Sequence, residues 1–303
     1  MTAETAPRPT PTQWLAGARP RTLPAACSPV IAGTGLAVFE QGASWVAAIL
    51  ALVVSLALQV GVNYANDYSD GIRGTDTERV GPQRLVGSGV ASPPLVKRAA
   101  FVSFGIACLA GLTLVIMTQY WWLLAVGVAS VLAAWYYTGG KHPYGYVGLG
   151  EVFVFMFFGL VAVCGTAYVQ VGNVSLATLL TGVWVGALAC AILVANNLRD
   201  IRGDQQVGKR TVATRLGDAR TRVLYATLVA LSGLLIIVVA FLTTWWAILG
   251  LAGLFMIIPA VRLVMSGASG LALIGVLKAT GLAELASSVG LAAGLILATL
   301  WFA

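Results

Sequence analysis

Apolar residues run along this chain in long unbroken blocks, separated by short polar stretches. Each block is about as long as a helix needs to cross a bilayer, roughly 20 residues. Nine can be drawn, at 23–39, 43–66, 97–118, 121–138, 150–169, 176–199, 221–242, 245–265 and 281–302. The pattern predicts an all-α polytopic membrane protein with nine transmembrane helices. The apolarity is continuous rather than alternating, which excludes a transmembrane β-barrel. Pro24, Pro29 and Pro259 fall inside blocks, as membrane helices tolerate when neighbours satisfy the freed carbonyls. Residues 1–22 read as a Thr/Pro-rich tail, disordered through 13, with an interfacial lead-in from Trp14 to Arg21. Residues 23–303 read as a single nine-helix domain. The first block begins well inside the chain without a cleavage pattern, so no signal peptide is expected.

The polar positions orient these blocks. Of 303 residues, 59% are hydrophobic and 10% charged, and mean hydropathy is +0.89. A soluble protein carries about 25% charged residues. With a cytoplasmic N-terminus and nine crossings, all 18 lysines and arginines fall on one side. The outer connections are short and flanked by Tyr120, Trp121, Trp122, Trp245 and Trp246, as an aromatic belt requires. The C-terminus is then on the outer side, and the expected location is the cytoplasmic membrane. The formal charge of +7 reads as this cytoplasmic bias rather than as a nucleic-acid surface. Cys27, Cys108, Cys164 and Cys190 sit singly in apolar blocks and are expected to be small core residues. His142 is the only histidine, which excludes a multi-histidine metal site.

Two cytoplasmic connections carry more aspartate than orientation calls for. Residues three and four apart share a helix face, so Asn63, Asn66, Asp67 and Asp70 form one polar stripe at the end of the second block. Asn196, Asp200 and Asp204 form another at the end of the sixth. Both blocks run in the same direction, and the segments align: Ala65-Asn66-Asp67-Tyr68-Ser69-Asp70 with Ala195-Asn196-Asn197-Leu198-Arg199-Asp200, then Ile-Arg-Gly and a further Asp, the first copy having an extra Gly71 and Thr75. A single aspartate at a span end would read as a helix cap paired with arginine. A doubled stripe points instead to a ligand, because ionisable groups in a membrane are costly. Clustered hard oxygens without thiolate or imidazole suit Mg²⁺, which leaves room for phosphate and water. Arg73, Arg84, Arg199, Arg202, Lys209 and Arg210 are fitting partners for an anionic phosphate.

Asn66-Asp67-x-x-Asp70 with a further Asp, together with the second Asp-x-x-x-Asp at Asp200 and Asp204, resembles the two motifs of the UbiA superfamily of intramembrane aromatic prenyltransferases. The resemblance covers nearly the whole chain. It is closest to the branch acting on 1,4-dihydroxy-2-naphthoate, through Ala18 to Leu23, Asn66 to Asp76, Gly81 to Val86, Gly148 to Glu151, Asn196 to Asp204 and Gly208 to Thr211. One departure is Gly74, where the general first motif has an aspartate; Asp76 lies two residues further on.

The resemblance implies nine helices and transfer of a polyprenyl group from polyprenyl diphosphate to 1,4-dihydroxy-2-naphthoate at its carboxyl-bearing carbon. Loss of CO2 then leads to demethylmenaquinone, with Mg²⁺ as cofactor and membrane lipid around the enzyme. The acids expected to act catalytically are Asp67, Asp70, Asp200 and Asp204. The expected metal ligands are Asn66, Asp70, Asp76, Asp200 and Asp204. Asn63, Asn66, Arg73, Arg84, Asn196, Arg199, Lys209 and Arg210 are expected around the diphosphate. Tyr68, Tyr136 and Tyr137, with Tyr64, are expected to wall the allylic cation, and Arg84, Lys141 or His142 to hold the acceptor carboxylate. Glu151 and Glu284 would line the cavity, or simply sit favourably at helix N-termini. A lateral opening for the prenyl tail is expected between helices. Two other functions fit parts of the pattern. An enzyme with 4-hydroxybenzoate or homogentisate as acceptor would share the diphosphate machinery. An anion transporter would place its charges near the midplane rather than at one end.

Overall fold

The computed structural model describes residues 9–74 and 84–302, and every regular element among them is helical. In chain order these are α1 (Pro11–Ala18), α2 (Leu23–Phe39), α3 (Trp45–Arg73), α4 (Pro93–Thr118), α5 (Leu123–Tyr136), α6 (Gly150–Val154), α7 (Ala162–Val171), α8 (Leu176–Gln206), α9 (Val212–Leu242), α10 (Leu251–Met265) and α11 (Ala272–Phe302). A π-helical stretch, Phe155–Val161, joins α6 to α7. A 3₁₀ turn, Trp245–Gly250, leads into α10.

Among the described residues, 8 helical segments are long and apolar enough to cross a membrane. The remaining expected crossing, α5, has 14 residues, about 21 Å at ~1.5 Å per residue. Trp121 and Trp122 form a turn before it, and Tyr137 and Thr138 a turn after it. The blocks at 23–39 and 245–265 match helical segments end to end. Others understate their helices, because helix formation continues after apolarity stops. α3 runs to Arg73 and closes on Gly74, whose left-handed φ of 68° suits glycine. α9 begins at Val212, capped by the Thr211 hydroxyl accepting from Thr214 N, and bends at Gly217 (φ 77°) before entering its apolar part.

The expected disorder through residue 13 is corrected at its end. Thr10 and Gln13 form a reciprocal capping box that starts α1 at Pro11. The expected core role of the cysteines holds least for Cys108, which is exposed; Cys190 is buried and all four are free.

Two larger packed cores and a small one around Val30, Ala47, Ala51 and Leu114 form the described part of the chain. α2, α8, α9, α10 and α11 share one core around Trp184, Leu188, Tyr225 and Leu295. α1, α3, α4 and α5 share the other, around Tyr64, Leu85 and Phe104. Helices in lipid associate closely through small residues. Gly159 in the π-helical stretch meets α8 backbone to backbone: a methyl group there would lie 2.5 Å from Gly182 O and 2.6 Å from Gly186 Cα. This contact fixes α6 and α7 against α8, and with them the two polar groups Glu151 and Asn197.

Candidate active site

The stripe at the end of α3 is real, and its members turn to four different segments. Asn63 donates to Ala18 O at 2.8 Å and to Thr22 Oγ1 at 3.0 Å, tying α3 to the α1–α2 junction. Asn66 accepts from Thr138 Oγ1 at 2.7 Å, beyond the end of α5. Asp67, 1% exposed, accepts from Leu85 N at 2.8 Å and Val86 N at 2.9 Å. Asp70 accepts from Tyr146 OH at 2.7 Å and pairs with Arg84 at 3.5 Å. Helical periodicity places these side chains on one face, but leaves open which segment comes to meet each.

The second stripe is more self-contained. Arg199 forks onto both oxygens of Asp200 at 2.7 and 2.5 Å and reaches Asn196 Oδ1 at 2.9 Å. Asp204 pairs with Lys209 at 3.7 Å. Asn197, one residue off the expected stripe, donates to Glu151 Oε1 at 3.0 Å. Glu151 therefore anchors the start of α6 to α8.

The two stripes meet through a turn that sequence periodicity does not reveal, Tyr144–Tyr146. Beyond the hydroxyl contact with Asp70, the Tyr146 ring carries Lys209 Nζ at 4.4 Å and the Arg73 guanidinium at 5.4 Å. Its carbonyl accepts from Arg210 N at 2.8 Å. Arg73 also donates to the carbonyls of Thr138 and Gly140. Asp70, Arg73 and Lys209 thus meet at Tyr146, with Arg84 paired to Asp70 and Asp204 to Lys209. The available signal is two tyrosines, Tyr144 and Tyr146, in a Gly/Pro-rich connection beside the only histidine.

Other expected members stand apart. Tyr64 donates to Trp14 O and packs on α1. Tyr68 stacks on Trp135 at 6.1 Å, with Lys97 Nζ 5.6 Å from its ring, so it faces α4 and α5. Tyr136 is 48% exposed. Lys141, His142 and Arg210 are exposed. Glu284 is fully buried on α11, its carboxyl oxygens without a hydrogen-bond partner among the described residues. Asp76 lies outside the described residues.

Below the polar end lies a cavity of about 440 Å³ between α3, α4, α5 and α7. Asn63, Asn66 and Gln59 form its polar rim, and Tyr137, Tyr144, Phe153 and Phe157 an aromatic wall. Tyr144 stacks on Phe153 at 4.0 Å and meets Tyr137 edge to face at 5.5 Å. The arrangement can hold a polar head among cations and acids, and an apolar chain in the cavity.

The donor chemistry suits Mg²⁺. Asn66, Asp70, Asp200 and Asp204 offer oxygens only, and Mg²⁺ takes one or two carboxylates beside phosphate. Among the described residues no three His, Cys, Asp or Glu side chains form a ready-made metal cage, so the carboxylates are available singly or in pairs.

Residues 26–269 match the model of the UbiA prenyltransferase family. The chain belongs to that family. This prenyltransferase is 53% identical over 283 residues to the 1,4-dihydroxy-2-naphthoate octaprenyltransferase of Mycobacterium tuberculosis, covering 93% of this chain and 96% of that one. It is 40% identical over 221 residues to the enzyme of the same name from Escherichia coli, covering 71% and 72% of the two chains. Its fold resembles a UbiA homolog from Aeropyrum pernix (TM-score 0.66, 18% identity, 91% of this chain and 98% of that one). It also resembles a UbiA homolog from Archaeoglobus fulgidus bound to GPP and Mg²⁺ (TM-score 0.64, 15% identity, 91% and 99%). Family membership makes the chain an integral membrane enzyme of prenyl transfer and sets aside the anion transporter.

Proposed function

We propose that this enzyme transfers a polyprenyl group from polyprenyl diphosphate to 1,4-dihydroxy-2-naphthoate, with Mg²⁺ and with loss of CO2. The observation that carries the acceptor is the 53% identity to a naphthoate octaprenyltransferase across 93% of the chain. The convergence of Asp70, Lys209 and Arg73 on Tyr146, with Asp204 paired to Lys209, supports the diphosphate end. The domain runs from 23 to 303 and crosses the membrane nine times, with the N-terminus cytoplasmic and the C-terminus outside. The active site then faces the cytoplasm from the cytoplasmic membrane, the side on which all 18 lysines and arginines fall.

Asn66, Asp70, Asp200 and Asp204 would hold the metal, with Asp76 as a further ligand. When bound, Mg²⁺ neutralises charge developing on the leaving diphosphate. Arg73, Arg84, Arg199, Lys209 and Arg210 add fixed positive charge at the same oxygens. The allylic C–O bond breaks and the diphosphate leaves with the electron pair. The prenyl cation rests against Tyr137, Tyr144 and Phe153, whose ring faces attract positive charge. The carboxyl-bearing ring carbon donates a π pair to it, forming the C–C bond. The bond to the carboxylate then breaks, CO2 departs, and its electron pair restores the ring. The immediate product is the quinol form of demethylmenaquinone. Asp67 holds the 85–86 backbone rather than the metal, and Asn63 holds the α1–α2 junction. The prenyl tail lies in the cavity between α3, α4, α5 and α7.

The test is turnover of purified enzyme in lipid nanodiscs with labelled polyprenyl diphosphate, Mg²⁺ and one acceptor at a time. Naphthoate should give a prenylated product and one CO2 per transfer. Faster turnover of 4-hydroxybenzoate or homogentisate would overturn the acceptor. Turnover undiminished by EDTA would overturn the metal.

A further inference from the structure

We propose that Tyr146 is a positioning residue that couples the two aspartate segments, setting Asp70 through its hydroxyl and the phosphate-directed cations through its ring. The proposal rests on the diphosphate reading above and adds a part to it. Among the described residues α3 and α8 share no extended contact. Tyr146 touches the charged ends of both. On the α3 side, Tyr146 OH donates to Asp70 Oδ1 at 2.7 Å, and Arg73 approaches the ring at 5.4 Å. On the α8 side, Lys209 Nζ lies 4.4 Å from the ring and 3.7 Å from Asp204, and Arg210 N donates to Tyr146 O at 2.8 Å.

The two halves of the side chain do different work. A hydroxyl donating to a carboxylate makes a charge-assisted bond that fixes the carboxylate plane. It leaves Asp70 Oδ2 toward Arg84, and such outer contacts orient a ligating carboxylate before the metal arrives. The ring gathers Lys209 and Arg73 on a surface that attracts cations without neutralising them. Lys209, paired with Asp204, and Arg73 are thereby held where an arriving diphosphate can meet both. Phenylalanine keeps the ring and loses the hydroxyl; leucine loses both.

The test measures binding without catalysis, by calorimetric titration of geranyl diphosphate into purified enzyme in nanodiscs at a series of MgCl2 concentrations. Tyr146→Phe should move the Mg²⁺ midpoint for geranyl diphosphate binding upward by about tenfold, with the limiting affinity at saturating Mg²⁺ unchanged. Tyr146→Leu should also weaken that limiting affinity by several-fold. A wild-type midpoint in Tyr146→Phe overturns the proposal. So does a Tyr146→Phe defect confined to a lowered melting temperature. Should Tyr146→Leu not fold, Tyr146→Phe decides alone. The acceptor plays no part in this titration, so an enzyme that prenylates another ring still tests the coupling. Wild-type enzyme that binds geranyl diphosphate without Mg²⁺ would refute the metal reading itself.

Discussion

Asn197 donates its side-chain amide to the Glu151 carboxylate at 3.0 Å, joining the middle of the α8 acid segment to the first turn of α6. Asn197 is buried and Glu151 half-buried, so the bond is one restraint on where α6 begins, beside the Gly159 contact with α8. Glu151→Gln keeps an acceptor oxygen and should leave the melting temperature in detergent within a few degrees of wild type. Glu151→Leu strands the buried amide and should cost about 1–3 kcal/mol. Adding Asn197→Leu to Glu151→Leu should recover part of that loss, and strict additivity of the two would show that the pair is not coupled.

Asp67 and Asp70 lie one helical turn apart and should fail differently. Asp67 is saturated by two backbone donors, Leu85 N and Val86 N. Asp67→Asn turns an amide N–H toward one of them, so it should cost about 1–3 kcal/mol of stability and expose the 84–91 segment to protease. Its Mg²⁺ dependence should match wild type. Asp70→Asn and Asp200→Asn should instead reduce turnover at least ~100-fold with little change in melting temperature. Initial rates across an MgCl2 series, with limited proteolysis alongside, separate the two outcomes.

Gly165 on α7 lines the cavity, and a Cβ there meets nothing within 4 Å. Gly165→Leu can therefore be accommodated by the helix while filling space meant for the prenyl tail. We expect kcat/KM for a long polyprenyl diphosphate to fall about tenfold, and that for geranyl diphosphate to change by less than about threefold; each tenfold is ~1.4 kcal/mol. Equal losses for both donors would place the tail elsewhere.

Tyr144 donates its hydroxyl to Ala133 O at 2.7 Å, and burial pushes its phenol well above the ordinary tyrosine range. The unfolded chain releases this proton near pH ~10, while the folded chain keeps it. The contribution to stability is therefore full below about pH 10 and declines as pH rises further. Tyr144→Phe should cost about 1 kcal/mol at neutral pH and flatten the fall in melting temperature between about pH 10 and 11. An alkaline limb unchanged in the variant would assign that fall to other groups.

Much of this was legible in the residues. The block at 23–39 coincides with α2, because apolarity and helix end together at Phe39. α3, α8, α9 and α11 extend past their blocks because hydropathy marks where hydrocarbon ends, while helix propensity and caps mark where the helix ends. Thr10 with Gln13 and Thr211 with Thr214 are readable start signals of the second kind. Helical spacing and the internal repeat single out Asp70, Asp200 and Asp204 as candidates. Tyr146 and Thr138 are not singled out, because their positions depend on the backbone path of an irregular connection, which no periodicity encodes. Asn63 shows the reverse case. It lies on the predicted face, yet its partner is a segment 45 residues earlier in the chain.

At Gly159 the seam with α8 is backbone against backbone, with no side chain among the nearest atoms to repack. Most helix interfaces absorb an added methyl by a rotamer change; this one can respond only by parting its helices. The parted helices are those that carry Glu151 and Asn197, so the smallest substitution in the chain would disturb a site it never touches. In a saturation-mutagenesis map Gly159 should be as intolerant of substitution as the aspartates. A screen for inactive variants would then find lesions in the middle of the bilayer as readily as at the active site.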